Sequence, residues 1–229
     1  MDLLLHEIDK CEVLRYLGYR DNLPDSLVAA QLDAACATLL RLARPQALYR
    51  LFDLKRQDNG YMLCGTTVTL LGADICTHLQ DARQCALMAV TLGAAMDLEL
   101  RRVQVKNVAQ AFVLNAVAST AVEQVCDTLC GHIQEAAGEG QWLTPRFSPG
   151  YGDMPLAQQK HLCALLDVAK IGISHTAHHL LLPSKSITAV LGLVSHPMAQ
   201  ESTPCASCKL FEACEQRKGN IFCGKPAVQ

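Results

Sequence analysis

The segment from Asn107 to Ala137 constrains the fold of this chain most. It contains no proline and a single internal glycine, Gly131. Its apolar residues follow helical spacing and form a broad face, which predicts one long helix packed on a sheet. The residues of this face are Val108, Phe112, Val113, Ala116, Val117, Val122, Val125, Cys126 and Leu129. Gly138 and Gly140 follow directly, and we expect the helix to end there.

Shorter segments surround this helix in an irregular order. Apolar spacing and flanking prolines predict helices at 25–43, 72–79 and 156–168, the last of them started by Pro155. Strand patterns occur at 47–55, 85–92 and 186–195. The last strand is rich in Ile, Val, Leu and Thr, which favours a central position. Because strands and helices do not alternate regularly, we predict an α+β fold with a mostly antiparallel sheet packed with helices.

Composition limits the classes of function. The chain has 229 residues, of which 50% are hydrophobic and 18% charged, as expected for one main globular domain. A formal charge of −2 lacks the basic surface that nucleic-acid binding requires, so we expect no nucleic-acid partner. The first residues lack a signal-peptide pattern, and no apolar run of about 18 residues occurs. We therefore expect no membrane association and a cytoplasmic location.

The loop at 146–155, Arg-Phe-Ser-Pro-Gly-Tyr-Gly-Asp-Met-Pro, suits the capture of an anionic ligand. Its prolines and glycines predict a stiff, sharply bent backbone. Arg146 is a forked donor that fits a carboxylate, and the Tyr151 ring can hold a cation or stack on a base. The alternative is a plain connection between helices whose arginine pairs with a nearby acid.

The C-terminal segment carries four closely spaced cysteines, Cys205, Cys208, Cys214 and Cys223. It holds too little apolar surface to form a core, and metal ligation would supply the missing folding energy. These thiols can bind zinc or an iron–sulfur cluster. A reducible disulfide or a flexible tail with idle thiols is the alternative. We expect one domain at 1–200 and a metal-binding tail at 201–229.

Three other groups of residues have more than one interpretation. Helical spacing would place three histidines, His175, His178 and His179, on one face of a helix. They would form a metal site, a surface that contacts a corrinoid, or ordinary surface histidines. Glu123, on the long helix, either reaches a ligand pocket or forms a salt bridge. The remaining group consists of cysteines in apolar surroundings, which predict core packing, namely Cys64, Cys76, Cys85, Cys126 and Cys130.

Arg146, Gly150 and Tyr151 form an Arg-x-x-x-Gly-Tyr pattern, and the matching stretch continues to the Ser-His-Pro at 195–197. On these residues the chain resembles the S-adenosylmethionine-binding activation domain of cobalamin-dependent methionine synthase, over roughly residues 100–197. The opening Glu-Val-Leu-Arg-Tyr-Leu-Gly-Tyr at 12–19 and the cysteine cluster resemble short free-standing proteins of anaerobes that look like this domain alone.

The resemblance implies a fold like that activation domain and assigns roles to individual residues. It implies that Arg146 holds the carboxylate of S-adenosylmethionine and that the Ser148 and Gly150 backbone lies along the ligand. Asp9 would contact the ligand's amino group. Tyr151 and His178 would face the corrinoid.

The resemblance also implies a reactivation module that supports reductive methylation of cob(II)alamin. The chain lacks an Asp-x-His-x-x-Gly motif, so cobalamin would come from a partner, either a cobalamin-dependent methionine synthase or another corrinoid protein. A flavodoxin or ferredoxin would donate the electron. Two alternatives remain: an iron–sulfur protein that reduces a corrinoid partner, and a zinc-stabilised docking protein without catalytic function.

Overall fold

A computed structural model describes residues 3–19 and 24–197. The α-helices in these residues are α1 (Lys10–Tyr16), α2 (Ser26–Leu42), α3 (Ala73–His78), α4 (Ala94–Lys106), α5 (Val108–Ala137) and α6 (Gln159–Leu166). The strands are β1 (Gln46–Gln57), β2 (Gly60–Leu63), β3 (Thr69–Leu71), β4 (Gln84–Thr91), β5 (Trp142–Leu143), β6 (Ser174–His175), β7 (Leu181–Leu182) and β8 (Ser186–Val194).

Six strands form one sheet in the order β3-β2-β1-β4-β8-β5, and each neighbouring pair is antiparallel. Strands β6 and β7 form a separate two-stranded hairpin. The predicted α+β class and antiparallel sheet are therefore confirmed. Strand β8 lies between β4 and β5, so its predicted central position is also confirmed.

Two hydrophobic clusters cover the two faces of the large sheet. Along β4, Ala86, Met88 and Val90 belong to one cluster, whereas Cys85 and Leu87 belong to the other. This alternation follows from the period of two in a strand. Helices α2 and α5 contribute to the first cluster, and α3 and α6 to the second. Because both faces are covered, the central strands are apolar along nearly their whole length.

Helix α5 is the long helix that the sequence predicts. The Asn107 side chain accepts a hydrogen bond from the Gln110 backbone N–H at 3.0 Å and caps its N-terminus. Gly138, with φ of 85°, follows its last residue. Thirteen residues of α5 are buried, and the helix packs against β4 and β8. Helix α5, which precedes the predicted binding loop, is therefore packed on one face of the sheet.

The segment after this loop is less regular than predicted. A 3-10 helix at Leu156–Gln158 leads into α6, and a second 3-10 helix follows at Val168–Ile171. Asp167 interrupts the segment because its φ of 53° is left-handed. The predicted helix at 156–168 therefore exists in three pieces.

The histidine group is not helical. His175 ends β6, and His178 and His179 lie in the turn that leads to β7. The Thr176 N–H donates to the Leu180 carbonyl at 2.9 Å, which closes a hairpin. The expectation that the three histidines lie on one face of a helix is therefore wrong. Three histidines within five residues fit a tight turn as well as a helix.

The chain divides into two units, Met1–His196 and Pro197–Gln229, and nearly all described residues belong to the first. The predicted metal ligands Cys205, Cys208, Cys214 and Cys223 lie outside the described residues. Within the part of the chain that the structure describes, no helix is long and apolar enough to cross a membrane.

Candidate functional site

The loop at 146–155 begins as an extension of the sheet edge. After β5, the Thr144 N–H donates to the Gly192 carbonyl at 2.9 Å, and the Gly192 N–H donates to Thr144 Oγ1 at 2.8 Å. Phe147 and Val190 then exchange two backbone hydrogen bonds of 3.0 and 2.8 Å. Strand β8 therefore sets the position of the residues on both sides of Arg146.

The second half of the loop folds back on itself, as its glycines and prolines predict. The Tyr151 N–H donates to the Ser148 carbonyl at 3.0 Å, and the Gly150 N–H donates to the Met154 carbonyl at 3.0 Å. Gly150 has φ of 93°, a conformation that favours glycine. Met154 is buried and anchors the bend, whereas the Tyr151 side chain at its tip is 58% exposed.

Two aspartates fasten the end of the loop to α3. The Asp153 carboxylate accepts hydrogen bonds from the Ala73 and Asp74 backbone N–H groups at 2.7 and 2.9 Å. In return, the Asp74 carboxylate accepts from the Asp153 N–H at 3.0 Å. A Cβ on Gly152, whose φ is 54°, would collide with the Asp74 carboxylate. This reciprocal pair, which we call the aspartate clamp, requires glycine at 152.

Arg146 is engaged by two carboxylates of α5. Its Nη2 lies 2.7 Å from Glu123 Oε2, and its Nη1 lies 2.7 Å from Asp127 Oδ1. Glu123 and Asp127 are four residues apart and therefore lie on the same side of the helix. Burial opposes the charge on Arg146, but its hydrogen bond to Asp127 and the two negative charges outweigh that effect and raise its pKa. One cation faces two anions, so this cluster keeps an excess of negative charge.

Aromatic rings border the charged cluster. The Phe147 ring packs edge-on against Tyr151 with centroids 6.1 Å apart, and His78 packs on Phe147 at 5.1 Å. Tyr16, at the end of α1, is 43% exposed. Burial first, and then the negative charge of Glu123, raise the pKa of Tyr16, and Tyr151 adds a smaller effect in the same direction. Tyr16 thus lies within electrostatic range of both Glu123 and Tyr151, so a carboxylate and aromatic rings occur together here.

The start of the chain also reaches this part of α5. The Asp9 N–H donates to Gln124 Oε1 at 3.2 Å, and Gln124 Nε2 donates to the Glu7 carbonyl at 3.2 Å. The Asp9 carboxylate accepts from the Glu12 N–H at 3.0 Å and caps α1. Because Gln124 follows Glu123, Asp9 lies beside the same segment of helix as the charged cluster.

Two thiols and one histidine lie beneath the loop. Arg146 Nη1 donates to Cys130 Sγ at 3.7 Å. Burial raises the pKa of both Cys126 and Cys130, so these thiols stay protonated at neutral pH. His78 Nε2 lies 2.8 Å from Thr144 Oγ1, and burial lowers its pKa. Cys126, Cys130 and His78, which lie beneath the loop, are therefore uncharged at neutral pH, whereas Arg146 carries a charge.

The structure places the five predicted S-adenosylmethionine-binding residues in the loop or beside the neighbouring segment of α5. Arg146, Ser148, Gly150 and Tyr151 share the loop, and Asp9 approaches through Gln124. His178 is exposed in the turn of the β6–β7 hairpin.

Sequence reasoning missed two residues of this site. Glu123 forms the salt bridge that the sequence suggested, while Asp127 and Tyr16 were not singled out. The sequence did contain a signal for Asp127, namely two carboxylates four residues apart on an otherwise apolar helix.

A cavity of about 820 Å³ lies on another side of the loop. Asp153 and Pro155 line it together with Arg56, Tyr61 and Gln80, but Arg146 and Tyr151 do not. We place the candidate site at Arg146 because the charged and aromatic groups converge there. Among residues 3–19 and 24–197, no group of three or more His, Cys, Asp or Glu side chains could hold a metal ion.

No protein-family model matches the chain, and no curated protein matches it. The chain is similar to a solved crystal structure of the MetH reactivation domain bound to AdoHcy. That similarity has a TM-score of 0.60 at 15% sequence identity, and it covers 84% of this chain and 75% of that chain. The antiparallel sheet, the long helix α5 and the loop after it therefore belong to a chain with the fold of the MetH reactivation domain.

Proposed function

We propose that the chain binds S-adenosylmethionine at the cluster formed by Arg146, Glu123, Asp127 and the two tyrosines. S-Adenosylmethionine carries a carboxylate, an ammonium and a sulfonium, so it needs a cationic and an anionic partner within one small site. Arg146 supplies a forked donor for the carboxylate. Glu123, with Tyr16 and Tyr151 nearby, supplies the surroundings that a cation requires.

Arg146 pairs with nearby acids, as the alternative of a plain connection also expects, so ligand binding at Arg146 requires an exchange of partners. Both terminal nitrogens of its guanidinium contact carboxylates at 2.7 Å, so a ligand carboxylate must displace or share one of these partners. The displaced carboxylate then becomes available to a positive group of the same ligand. A zwitterion can make this exchange without leaving an unpaired charge, whereas a simple anion cannot.

In the proposed reaction, one electron reduces cob(II)alamin on a partner to cob(I)alamin, which takes the methyl group as the carbon–sulfur bond breaks and leaves S-adenosylhomocysteine. The chain's own residues orient the donor: Arg146 holds its carboxylate, and the Ser148 and Gly150 backbone lies along it. Tyr151 is exposed at the tip of the loop, where a partner can reach it. Asp9 is proposed to contact the amino group, and His178 the corrinoid.

The partner is proposed to be a cobalamin-dependent methionine synthase or another corrinoid protein, with a flavodoxin or ferredoxin as electron donor. The fold shared with a domain bound to AdoHcy supports this assignment, because AdoHcy is the product of methyl transfer from S-adenosylmethionine. The cysteines of the C-terminal segment are proposed to bind zinc or an iron–sulfur cluster.

Calorimetric titration of S-adenosylmethionine into the full chain tests the proposal. Arg146→Ala removes the forked donor and should weaken binding by about 2 kcal/mol or more, roughly 30-fold in Kd. Arg146→Lys keeps the charge that balances Glu123 and Asp127 but loses the fork, so it controls for unfolding. Arg101→Ala, at an exposed position of α4, should leave Kd unchanged. Equal affinity of the wild type and both Arg146 variants would refute the site.

A further inference from the structure

We infer that His175 and His179 form a binding site for a late first-row divalent metal ion. This inference is independent of the proposed function, because the two histidines belong to the β6–β7 hairpin and not to the Arg146 cluster. Their ring centroids lie 5.9 Å apart, with the rings tilted by 45°. Two imidazoles on one tetrahedral zinc ion, with Zn–N bonds of about 2.0 Å, have centroids roughly 5 Å apart. A small rotation of either side chain would bring both rings onto one ion.

The hydrogen bond of His175 supports this assignment. Its Nδ1 lies 3.1 Å from the Thr176 carbonyl oxygen, which can only accept. The proton therefore resides on Nδ1, and Nε2 carries the lone pair. A histidine that binds a metal through one ring nitrogen commonly donates from the other nitrogen to a carbonyl or carboxylate. His175 is thus held in the tautomer that a metal ion requires.

The conformation of His179 supports it further. His179 has φ of 63°, one of two non-glycine residues with positive φ in the described part of the chain. Its N–H donates to the Thr176 carbonyl at 2.9 Å and closes the turn, a position where glycine has no steric cost. Its Nδ1 is buried without a hydrogen-bond partner in the described structure. Nε2 is then the ring nitrogen left to bind an ion, and the strained backbone of His179 is explained if its ring serves a ligand.

The hairpin holds these two residues in register. His175 pairs with Leu181 in the strands, and the Leu180 N–H donates to Thr176 Oγ1 at 3.2 Å. Imidazole nitrogen is a preferred ligand of Zn²⁺, Ni²⁺ and Cu²⁺, and water would complete the coordination. Two protein ligands make an exchangeable site. A bound ion would cross-link the turn to strand β6.

Nickel titration of the full chain, followed by NMR of the histidine ring signals, tests the inference. Total metal uptake is not informative, because the C-terminal cysteines are also predicted to bind metal. Paramagnetic Ni²⁺ at a fraction of one equivalent should broaden the His175 and His179 signals before those of His132 and His196, which are elsewhere in the chain.

Two variants decide between a shared site and separate surface histidines. His179→Gly keeps the positive φ of the turn without strain, so the hairpin stays folded, and it should abolish the early broadening of His175. His178→Ala, in the same turn, should leave the broadening unchanged. Early broadening of His175 in the His179→Gly chain, or equal broadening of all exposed histidines, would overturn the site.

Discussion

Arg146 Nη2 lies 2.7 Å from Glu123 Oε2, and this ion pair connects the predicted binding loop to the centre of the longest helix. The two residues are 23 positions apart in sequence and meet because β5 and the start of the loop run along the edge of β8. Both side chains are partly exposed, at 25% and 36%, so the pair is accessible to a ligand. Under the proposed function, ligand binding rearranges this contact.

Glu123 should favour the charged methyl donor over the neutral product. Its charge acts on Tyr16, so a sulfonium placed among these groups would be stabilised by both the carboxylate and the rings. Glu123→Gln should therefore lower the preference for S-adenosylmethionine over S-adenosylhomocysteine by about 1 kcal/mol, roughly fivefold in the ratio of Kd values. Calorimetry with both ligands measures this ratio. Asp127→Asn is the matched control, and an equal change in both variants would contradict the assignment.

The aspartate clamp should make Gly152 far less tolerant of substitution than Gly172. Both have positive φ, at 54° and 72°, but a Cβ on Gly172 would meet open space. Gly172→Ala should lower the free energy of unfolding by the left-handed penalty of about 1 kcal/mol. Gly152→Ala should lose roughly 1 kcal/mol more, because the new methyl group displaces Asp74 from its hydrogen bond. Urea denaturation compares the two, and equal losses would rule out the clamp as the cause.

His78 should make the fold more sensitive to acid. Burial lowers its pKa, so below the ordinary value of about 6.5 the unfolded chain binds a proton that the folded chain does not. The contribution of His78 to the free energy of unfolding therefore falls as the pH drops through that value. His78→Gln should reduce the loss of stability between pH 7.5 and pH 5.5, measured by urea denaturation.

The long helix and the central strands were predictable because each depends on a local pattern. From Val113 to Leu129 the apolar face repeats at helical spacing and is largely buried, whereas Val108 and Phe112, which the prediction assigned to that face, are exposed. The apolar run of β8 matches a strand covered on both faces. The bend at Gly150 was predictable for the same reason, since proline and glycine restrict or release φ at their own positions.

The histidine group shows where local patterns were insufficient. Spacing of three and four residues fits a helix, but the hydrogen bonds of Thr176 close a hairpin turn instead. The segment after Pro155 was interrupted for a related reason, because Asp167 adopts a left-handed conformation that no nearby residue type announces.

The sequence by itself determined the α+β class, the length of α5 and the stiffness of the loop, since those features depend on patterns of residues close together in the chain. Only the tertiary structure decided which groups surround Arg146. The partners of its guanidinium come from a helix that lies before it in sequence, and the tyrosine beside Glu123 comes from the first helix. Such contacts depend on how helices are placed on the sheet, and that placement results from the packing of the whole core.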